Sequence, residues 1–216
     1  MPPLSPSQAS RIYDRIGRAQ DWQAFYEDRA IARLLANAEL ERAESVFELG
    51  CGTGRVGQHL LGRLNPTASY RGVDLSPVMV ELATSRLAPW PERAKVVLVD
   101  GSLPLPAADR SVDRFMSTFV FDLLAGDLAL TVLADARRML APHGLLCLAS
   151  LAPGVSRGER VVSRAWMGLW RQSPWLVGGC RPISLVSLLG DGWQAHHRSL
   201  VRAWGLVTEV VVASPL

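Results

Sequence analysis

Three glycines stand close together after a short apolar segment, at Gly50, Gly52 and Gly54. A glycine-rich turn between a strand and a helix lets the backbone approach a ligand closely, because no side chain fills the space. In open α/β sheets, ligands bind at such turns, outside the carboxyl ends of the strands. Residues 52–57 also match the glycine pattern of dinucleotide-binding proteins, so the glycines alone do not identify the ligand.

Acidic residues near these glycines narrow the choice of ligand. Glu48 lies two residues before the first glycine, where a carboxylate repels a pyrophosphate but suits an amino group or a sulfonium. Asp74 ends the second predicted strand, which is the position of the acid that accepts ribose hydroxyls. Asp100 ends the third, before Gly101 and Ser102, in a place that suits the edge of an adenine ring. We therefore expect a cationic adenosine without phosphate, and S-adenosylmethionine has that description.

The elements that must position these residues follow from the pattern of apolar residues. Strand-like and helical segments alternate between residues 45 and 151, which predicts an α/β domain with a doubly wound parallel sheet. Two strand-like runs near the carboxyl end are separated only by a short turn at Gly205, and so predict a hairpin and an antiparallel strand. The apolar run Val96–Val99 predicts a strand buried on both faces, and residues 141–144 predict a turn before the fifth strand.

The length of 216 residues suits a single domain, residues 1–216, with two added segments. Apolar residues at helical spacing predict a helical cap over residues 1–44. Residues 152–190 contain Gly, Pro and three Trp with a weaker periodicity, which predicts an insertion or lid after the fifth strand.

Composition argues against several other classes of protein. The chain has 23 basic and 20 acidic residues, a formal net charge of +3 and no basic tail, so we expect no nucleic-acid partner. No stretch approaches the ~18–20 apolar residues that cross a bilayer, and the amino end lacks the layout of a secretory signal. The three cysteines lie far apart without zinc-ligand spacing, so we expect no metal, no membrane contact and a cytoplasmic location.

Five motifs between about Ser45 and Leu151 resemble those of the class I S-adenosylmethionine-dependent methyltransferases, of the broad small-molecule type. They are Val46–Arg55, Gly72–Pro77, Val99–Gly101, Ser111–Phe119 and Arg138–Gly144. The resemblance implies a Rossmann-like, seven-stranded, mostly parallel sheet in the order 3-2-1-4-5-7-6, with strand 7 antiparallel and helices on both faces. It also implies S-adenosylmethionine as the cofactor, and it says little about the substrate.

The motifs and the resemblance together assign a set of cofactor-binding residues. Met79 stands where an apolar side chain commonly packs on the adenine in similar enzymes, and Tyr13 could close over the cofactor, with core packing as the alternative. The full set is Glu48, Gly50, Cys51, Gly52, Gly54, Asp74, Leu75, Met79, Asp100, Gly101, Ser102, Thr118 and Tyr13.

The methyl acceptor is less well specified. Residues 118–122 read Thr-Phe-Val-Phe-Asp, unlike the Asn/Asp-Pro-Pro-Tyr/Phe sequence of enzymes that methylate amino groups of bases or of glutamine. Asp122 is the nearest ionisable group and could orient the acceptor or take its proton as the catalytic residue, or it could cap the next helix. Arg181 could bind an anionic group, and aromatic side chains could line the site or pack in the core. The predicted acceptor site is Tyr26, Phe119, Asp122, Trp166, Trp170 and Arg181.

These observations favour in-line transfer of a methyl group to an oxygen, nitrogen or sulfur atom of a small molecule. Methylation of protein or RNA is an alternative, as is a binding module that kept the fold without turnover. A nicotinamide-dependent oxidoreductase is disfavoured by Glu48. We expect a monomer or a homodimer.

Overall fold

The structure, a computed structural model, describes residues 3–216 and contains a seven-stranded sheet. Its strands run β3-β2-β1-β4-β5-β7-β6, and β7 is antiparallel to both of its neighbours while the other pairs are parallel. The predicted Rossmann-like class, strand order and carboxyl-terminal hairpin are thus confirmed. The strands are β1 Ser45–Leu49, β2 Ser69–Asp74, β3 Ala94–Leu98, β4 Val112–Thr118, β5 Leu140–Ala152, β6 Trp193–Ala203 and β7 Leu206–Pro215.

Helices cover both faces of this sheet. The α-helices are α1 Pro6–Ile16, α2 Ala24–Asn37, α3 Arg55–Leu61, α4 Pro77–Leu87, α5 Gly126–Met139, α6 Arg157–Gln172 and α7 Leu185–Leu189. The part of the chain that the structure describes also contains the 3₁₀ segments Gly17–Gln23, Leu40–Arg42, Pro174–Val177 and Gly190–Gly192. One face of the sheet packs under α2 and α3, and the opposite face packs under α5 and α7, so that each face has its own buried apolar cluster. Within residues 3–216, no helix combines the length and apolar character needed to cross a membrane.

Two local expectations about the strands are wrong. Residues 96–98 belong to β3 and Val99 follows it. Because β3 is an edge strand with one neighbour, this run is only partly buried and Leu98 is 51% exposed. Strands buried on both faces include β5, in which every residue from Gly144 to Ala152 is buried, and β7, which is buried from Val207 to Ala213. Residues 141–144 lie within β5 rather than before it. They form an irregularity there, since the pairing moves from Val112–Leu140 directly to Arg114–Leu145.

The two segments predicted to lie outside the core sheet motif are largely helical. Residues 6–42 form α1, α2 and 3₁₀ turns, and α1 packs against α4 while α2 packs against β5, β6 and β7. After β5 the chain forms α6, a 3₁₀ turn and α7, and α7 packs on α5. The hydroxyl of Tyr13 donates a hydrogen bond to the carbonyl of Gly178 at 3.4 Å, which joins the two segments directly.

Candidate active site

A cavity, the first cavity, lies at the carboxyl ends of β1, β2 and β4 and is covered by α1 and the 3₁₀ segment that follows it. Most of the predicted cofactor residues meet there. Those that line it are Tyr13, Glu48, Gly50, Cys51, Gly52, Asp74, Leu75, Gly101 and Thr118. Gly54, Met79, Asp100 and Ser102 lie outside its lining.

The glycine-rich turn adopts a backbone that other residues rarely take. Gly50, Gly52 and Gly54 have φ angles of 71°, 53° and 79°, in the region that favours glycine. A Cβ at Gly52 would meet nothing within 4 Å, so this glycine faces open space at the cavity. A Cβ at Gly54 would lie 2.9 Å from the Cα of Ala83 in α4. Gly54 therefore permits the close packing of α3 on α4, which explains its position away from the ligand space.

Asp74 connects the end of β2 to this turn. One carboxylate oxygen accepts the backbone N–H of Gly52 and the other accepts that of Ser76, both at 2.9 Å. Burial raises the pKa of Asp74, and these two N–H groups partly oppose the rise. Each oxygen keeps a second lone pair, so the carboxylate can still accept hydroxyl groups from a ligand.

Glu48 is a buried residue in the lining of the same cavity, and only one of its two carboxylate oxygens has a hydrogen-bond partner within residues 3–216. Its Oε2 accepts the hydroxyl of Tyr70 at 2.5 Å. Its Oε1 has no hydrogen-bond partner in the part of the chain that the structure describes. Burial raises the pKa of Glu48 to about 8, although the bond from Tyr70 lowers it. A buried carboxylate oxygen without a donor, at the wall of a cavity, fits a cationic group of a ligand.

The predicted residues outside the cavity have local partners instead. The carboxylate of Asp100 turns back to accept the backbone N–H of Ser102 at 2.9 Å and its hydroxyl at 2.6 Å. These bonds hold the pKa of Asp100 below its usual value. Met79 is fully buried at the start of α4, where the Ser76 hydroxyl accepts its N–H at 3.1 Å.

An ionic network that sequence patterns did not reveal closes the cavity on the amino-terminal side. Asp21 accepts the hydroxyl of Thr53 at 2.6 Å and the guanidinium of Arg86 at 2.5 Å. Burial raises the pKa of Asp21, but these bonds outweigh that effect and lower it. Arg55 pairs with Glu27 and Asp28 in α2. The partners lie 27 or more residues apart in the chain, so no local motif could indicate them.

Comparisons with known proteins fit this geometry. A family model described as a methyltransferase domain matches residues 46–144. A trans-aconitate 2-methyltransferase from Methylobacterium radiotolerans is 32% identical over 188 residues, which is 79% of this chain and 68% of that protein. The chain belongs to the class I S-adenosylmethionine-dependent methyltransferases.

Other curated relatives of this methyltransferase-family chain match over less of their length. A malonyl-[acyl-carrier protein] O-methyltransferase from a Marinomonas species is 32% identical over 162 residues, 75% of this chain and 57% of that protein. The chain spans 43–57% of the length of this protein and two further curated relatives.

Solved structures with a similar fold include the N-methyltransferase NodS from Bradyrhizobium japonicum in complex with S-adenosylhomocysteine. The two structures superpose with a TM-score of 0.73 at 15% sequence identity, over 96% of this chain and 99% of NodS. The [4+2]-cyclase SpnF superposes with a TM-score of 0.75 at 16% identity, over 100% of this chain and 99% of SpnF. Because both sequence identities are low, these two structures show the fold alone.

A second cavity of about 370 Å³ lies beside the first in this methyltransferase-family chain, between α1 and α6. Tyr26 and Trp166, both predicted acceptor residues, line it together with Arg15 and Trp175. Phe119 lines the first cavity, and its ring packs edge-on against that of Tyr26 with the centroids 5.8 Å apart. Tyr13, Tyr26 and Phe119 thus form a wall between the two cavities. Phe119 has a φ of 56°, a strained value for a residue with a side chain.

Asp122 is fully buried near this wall but lines neither cavity. Its Oδ2 accepts the N–H of Leu151 at 2.9 Å, and its Oδ1 has no partner within residues 3–216. Burial raises its pKa to about 7, and the Leu151 N–H opposes the rise. The alternative that Asp122 caps the next helix is wrong, because α5 begins after Ala125 and has no side-chain cap.

The other predicted acceptor residues mainly hold the loop after α6. The indole N–H of Trp166 donates to the carbonyl of Cys180 at 2.8 Å, and that of Trp170 donates to the carbonyl of Gly179 at 2.9 Å. Trp170 is buried and lines neither cavity. The guanidinium of Arg181 donates to the carbonyl of Leu124, and Arg181 also lies outside both linings.

Proposed function

We propose that the protein transfers the methyl group of S-adenosylmethionine to an oxygen, nitrogen or sulfur atom of a small molecule. One observation carries this proposal. Asp74 and the free oxygen of Glu48 line the same cavity as the open backbone at Gly52, so a hydroxyl acceptor and a cation acceptor flank one ligand space.

The lining of the first cavity suits the parts of this cofactor. Asp74 would accept the ribose hydroxyls, and Glu48 would accept the amino group of the methionine part. Leu75 and Gly101 follow β2 and β3 and would contact the adenine. Cys51 would serve as a packing group, because burial raises the pKa of its thiol well above the usual value and keeps it neutral.

The bound cofactor would supply a methyl group on a good leaving group, so the protein mainly has to align the acceptor and exclude water. We assign the acceptor to the second cavity, whose volume lies in the range of small-molecule sites. The acceptor would meet the cofactor at the wall formed by Tyr13, Tyr26 and Phe119. Burial raises the pKa of both tyrosines far above neutral, so their hydroxyls would orient the acceptor and would not act as bases.

Asp122 is the candidate proton acceptor in this proposal. Its pKa of about 7 leaves it partly ionised near neutral pH, and its Oδ1 is free to receive a proton. The charge of Asp122 raises the pKa of Tyr13, which lines the first cavity, and of Cys180, which lines the second, so Asp122 lies close to both linings. A proton from a hydroxyl or amine acceptor would therefore reach Asp122 through a bridging water or after a displacement of the loop that follows α6.

The names of several relatives support a small-molecule acceptor, and those of others support RNA as the alternative acceptor. Curated relatives are named for O-methylation of a malonyl group on a carrier protein and for methylation of trans-aconitate, and others for methylation of tRNA. The small net charge favours the first group. We further propose a cytoplasmic location, because all three cysteines are buried free thiols. We also propose that the protein is a monomer or a homodimer.

Calorimetric titration tests the cofactor first. S-adenosylhomocysteine should bind and NADH should not; binding of NADH alone would refute the proposal. A screen with labelled S-adenosylmethionine against carboxylic acids, phenols, amines and thiols then identifies the acceptor. Binding of S-adenosylhomocysteine with no transfer to any of these classes or to RNA would favour a module without methyl transfer.

A further inference from the structure

Tyr70 occupies a narrow slot between β2 and α3. It lies in β2 beside Val46 of β1, and its side chain is 2% exposed. A Cβ added at Gly57 would lie 2.7 Å from the Tyr70 hydroxyl, and one added at Gly72 would lie 2.6 Å from it. Gly72 is also the strand partner of Glu48. Two glycines, from α3 and β2, therefore leave the space through which the phenol reaches Glu48.

The hydrogen bond from Tyr70 is the single polar contact of the Glu48 carboxylate within the described residues 3–216. The titratable groups that face Glu48 are Tyr70, Cys51 and Asp74. None of them is a cation at neutral pH. The carboxylate is thus held at one oxygen, its other oxygen has no partner within residues 3–216, and Glu48 itself lines the first cavity.

We propose that Tyr70 is a positioning residue that stabilises the ionised form of Glu48 and directs its free oxygen toward the amino group of the cofactor's methionine part. This inference rests on the proposed function. A phenol bonded to one oxygen stabilises the charged form of a buried carboxylate and fixes its rotamer. Without the phenol, the carboxyl group would retain a proton more readily and would have no fixed direction. Tyr70 would therefore affect the methionine part of the ligand and leave the adenosine part unchanged.

The test compares two ligands by calorimetry at pH 8. S-adenosylhomocysteine carries the amino group, whereas 5′-methylthioadenosine has the same adenosine and sulfur without it. In Tyr70→Phe the ring still fills its slot, and we expect about tenfold weaker binding of S-adenosylhomocysteine, the size of a lost charge-assisted interaction. Binding of 5′-methylthioadenosine should change less than about twofold. The pH at which S-adenosylhomocysteine affinity is half-maximal should also move upward.

Ser117→Ala is the matched control. Ser117 has a buried hydroxyl in β4 that donates to the Leu49 carbonyl at 3.1 Å and has no hydrogen bond to Glu48 within the described residues. Its loss should change the affinities of both ligands by the same factor. An equal change for the two ligands in Tyr70→Phe, or no change in either, would overturn the inference.

The double variant Glu48→Gln with Tyr70→Phe covers the case in which Tyr70→Phe alone does not fold, because it leaves no charge in the slot. It should bind S-adenosylhomocysteine as weakly as Glu48→Gln does, and a further loss of more than about threefold would show that Tyr70 acts independently of Glu48 and overturn the inference. A wild-type protein that binds neither ligand would refute the proposed function itself. Binding of both ligands by the wild type, with an unaltered Tyr70→Phe, would refute only the role of Tyr70.

Discussion

The backbone N–H of Gly52 donates to the carboxylate of Asp74 at 2.9 Å, so the glycine-rich turn after β1 and the acidic end of β2 form one unit. A change at either residue alters the other. The position of the proposed ribose site and the path of the backbone beside it are therefore set by the same hydrogen bond.

Asp74→Ala should weaken the binding of S-adenosylhomocysteine by about 1–3 kcal/mol, since it removes a charged acceptor and loosens the turn. Calorimetric titration measures the loss. Asp100→Ala is the control, because Asp100 is exposed and lies outside the cavity. This variant should bind S-adenosylhomocysteine with an affinity close to that of the wild type. Equal losses in the two variants would show that the end of β3 contributes to binding as much as the end of β2.

Stability should fall as the pH rises from about 5 to 8. Burial raises the pKa of Asp122 to about 7 and that of Glu48 to about 8, both above their values in an unfolded chain. In that window the folded protein holds protons that the unfolded chain has released, so rising pH favours unfolding. Each group contributes a slope of up to about 1.4 kcal/mol per pH unit. Chemical denaturation at a series of pH values measures the slope.

Asp122→Asn should flatten this slope by the contribution of one group and should also lower the rate of methyl transfer. Asp100→Asn is the comparison, because the pKa of Asp100 lies below its usual value and so outside the window. A slope unchanged by Asp122→Asn would mean that Asp122 is charged throughout this range. A flattened slope with full activity would remove Asp122 from the proton path and leave it as a structural residue.

Two tryptophans one helical turn apart should behave differently. Trp170→Ala should lower the free energy of unfolding by about 3–5 kcal/mol, because a buried indole is lost. Trp166→Ala should be milder for stability and should raise the KM of the acceptor, since Trp166 lines the second cavity. Thermal and chemical unfolding, with steady-state kinetics, measure the two effects. Leu169→Ala changes an exposed position of the same helix and serves as the reference. If Trp166→Ala left the KM unchanged, the acceptor site would have to be assigned to a place other than the second cavity.

Gly54→Ala should destabilise the fold by about 2 kcal/mol or more, from backbone strain and overlap with α4. Gly178→Ala separates the two causes. Gly178 has a similar φ of 61°, but a Cβ there meets nothing within 4 Å, so the strain acts alone and the loss should be about 1 kcal/mol. Equal losses at the two positions would show that the contact with Ala83 relaxes freely.

Much of the fold was predictable from the sequence because it depends on local patterns. The alternation of strands and helices sets the parallel sheet, and the short turn at Gly205 requires the antiparallel hairpin. The burial of Val96–Val99 was not predictable, because an apolar run does not reveal that its strand lies at an edge of the sheet. The direction of the Asp100 side chain depends on its bonds to Ser102, a choice that motif position alone does not determine.

The site was predictable where a motif fixes the backbone, as at Gly52 and Asp74. It was not predictable where side chains meet across strands or across the chain. Tyr70 reaches Glu48 only because β1 and β2 align with Gly72 beside Glu48, and strand register is not visible in the residues of one strand. The network of Asp21, Thr53 and Arg86 has the same origin in long-range packing.

The bond between Tyr13 and Gly178 joins residues that are 165 positions apart, and the second cavity is built from both of their segments. The glycine-rich turn and its acidic partner come from β1 and β2, but α1 and the 3₁₀ segment after it line the first cavity as well. Replacing the amino-terminal segment therefore reshapes both cavities at once. A chimera that takes the first 44 residues from another methyltransferase should keep the contact between the two segments only if it takes residues 152–190 from the same parent.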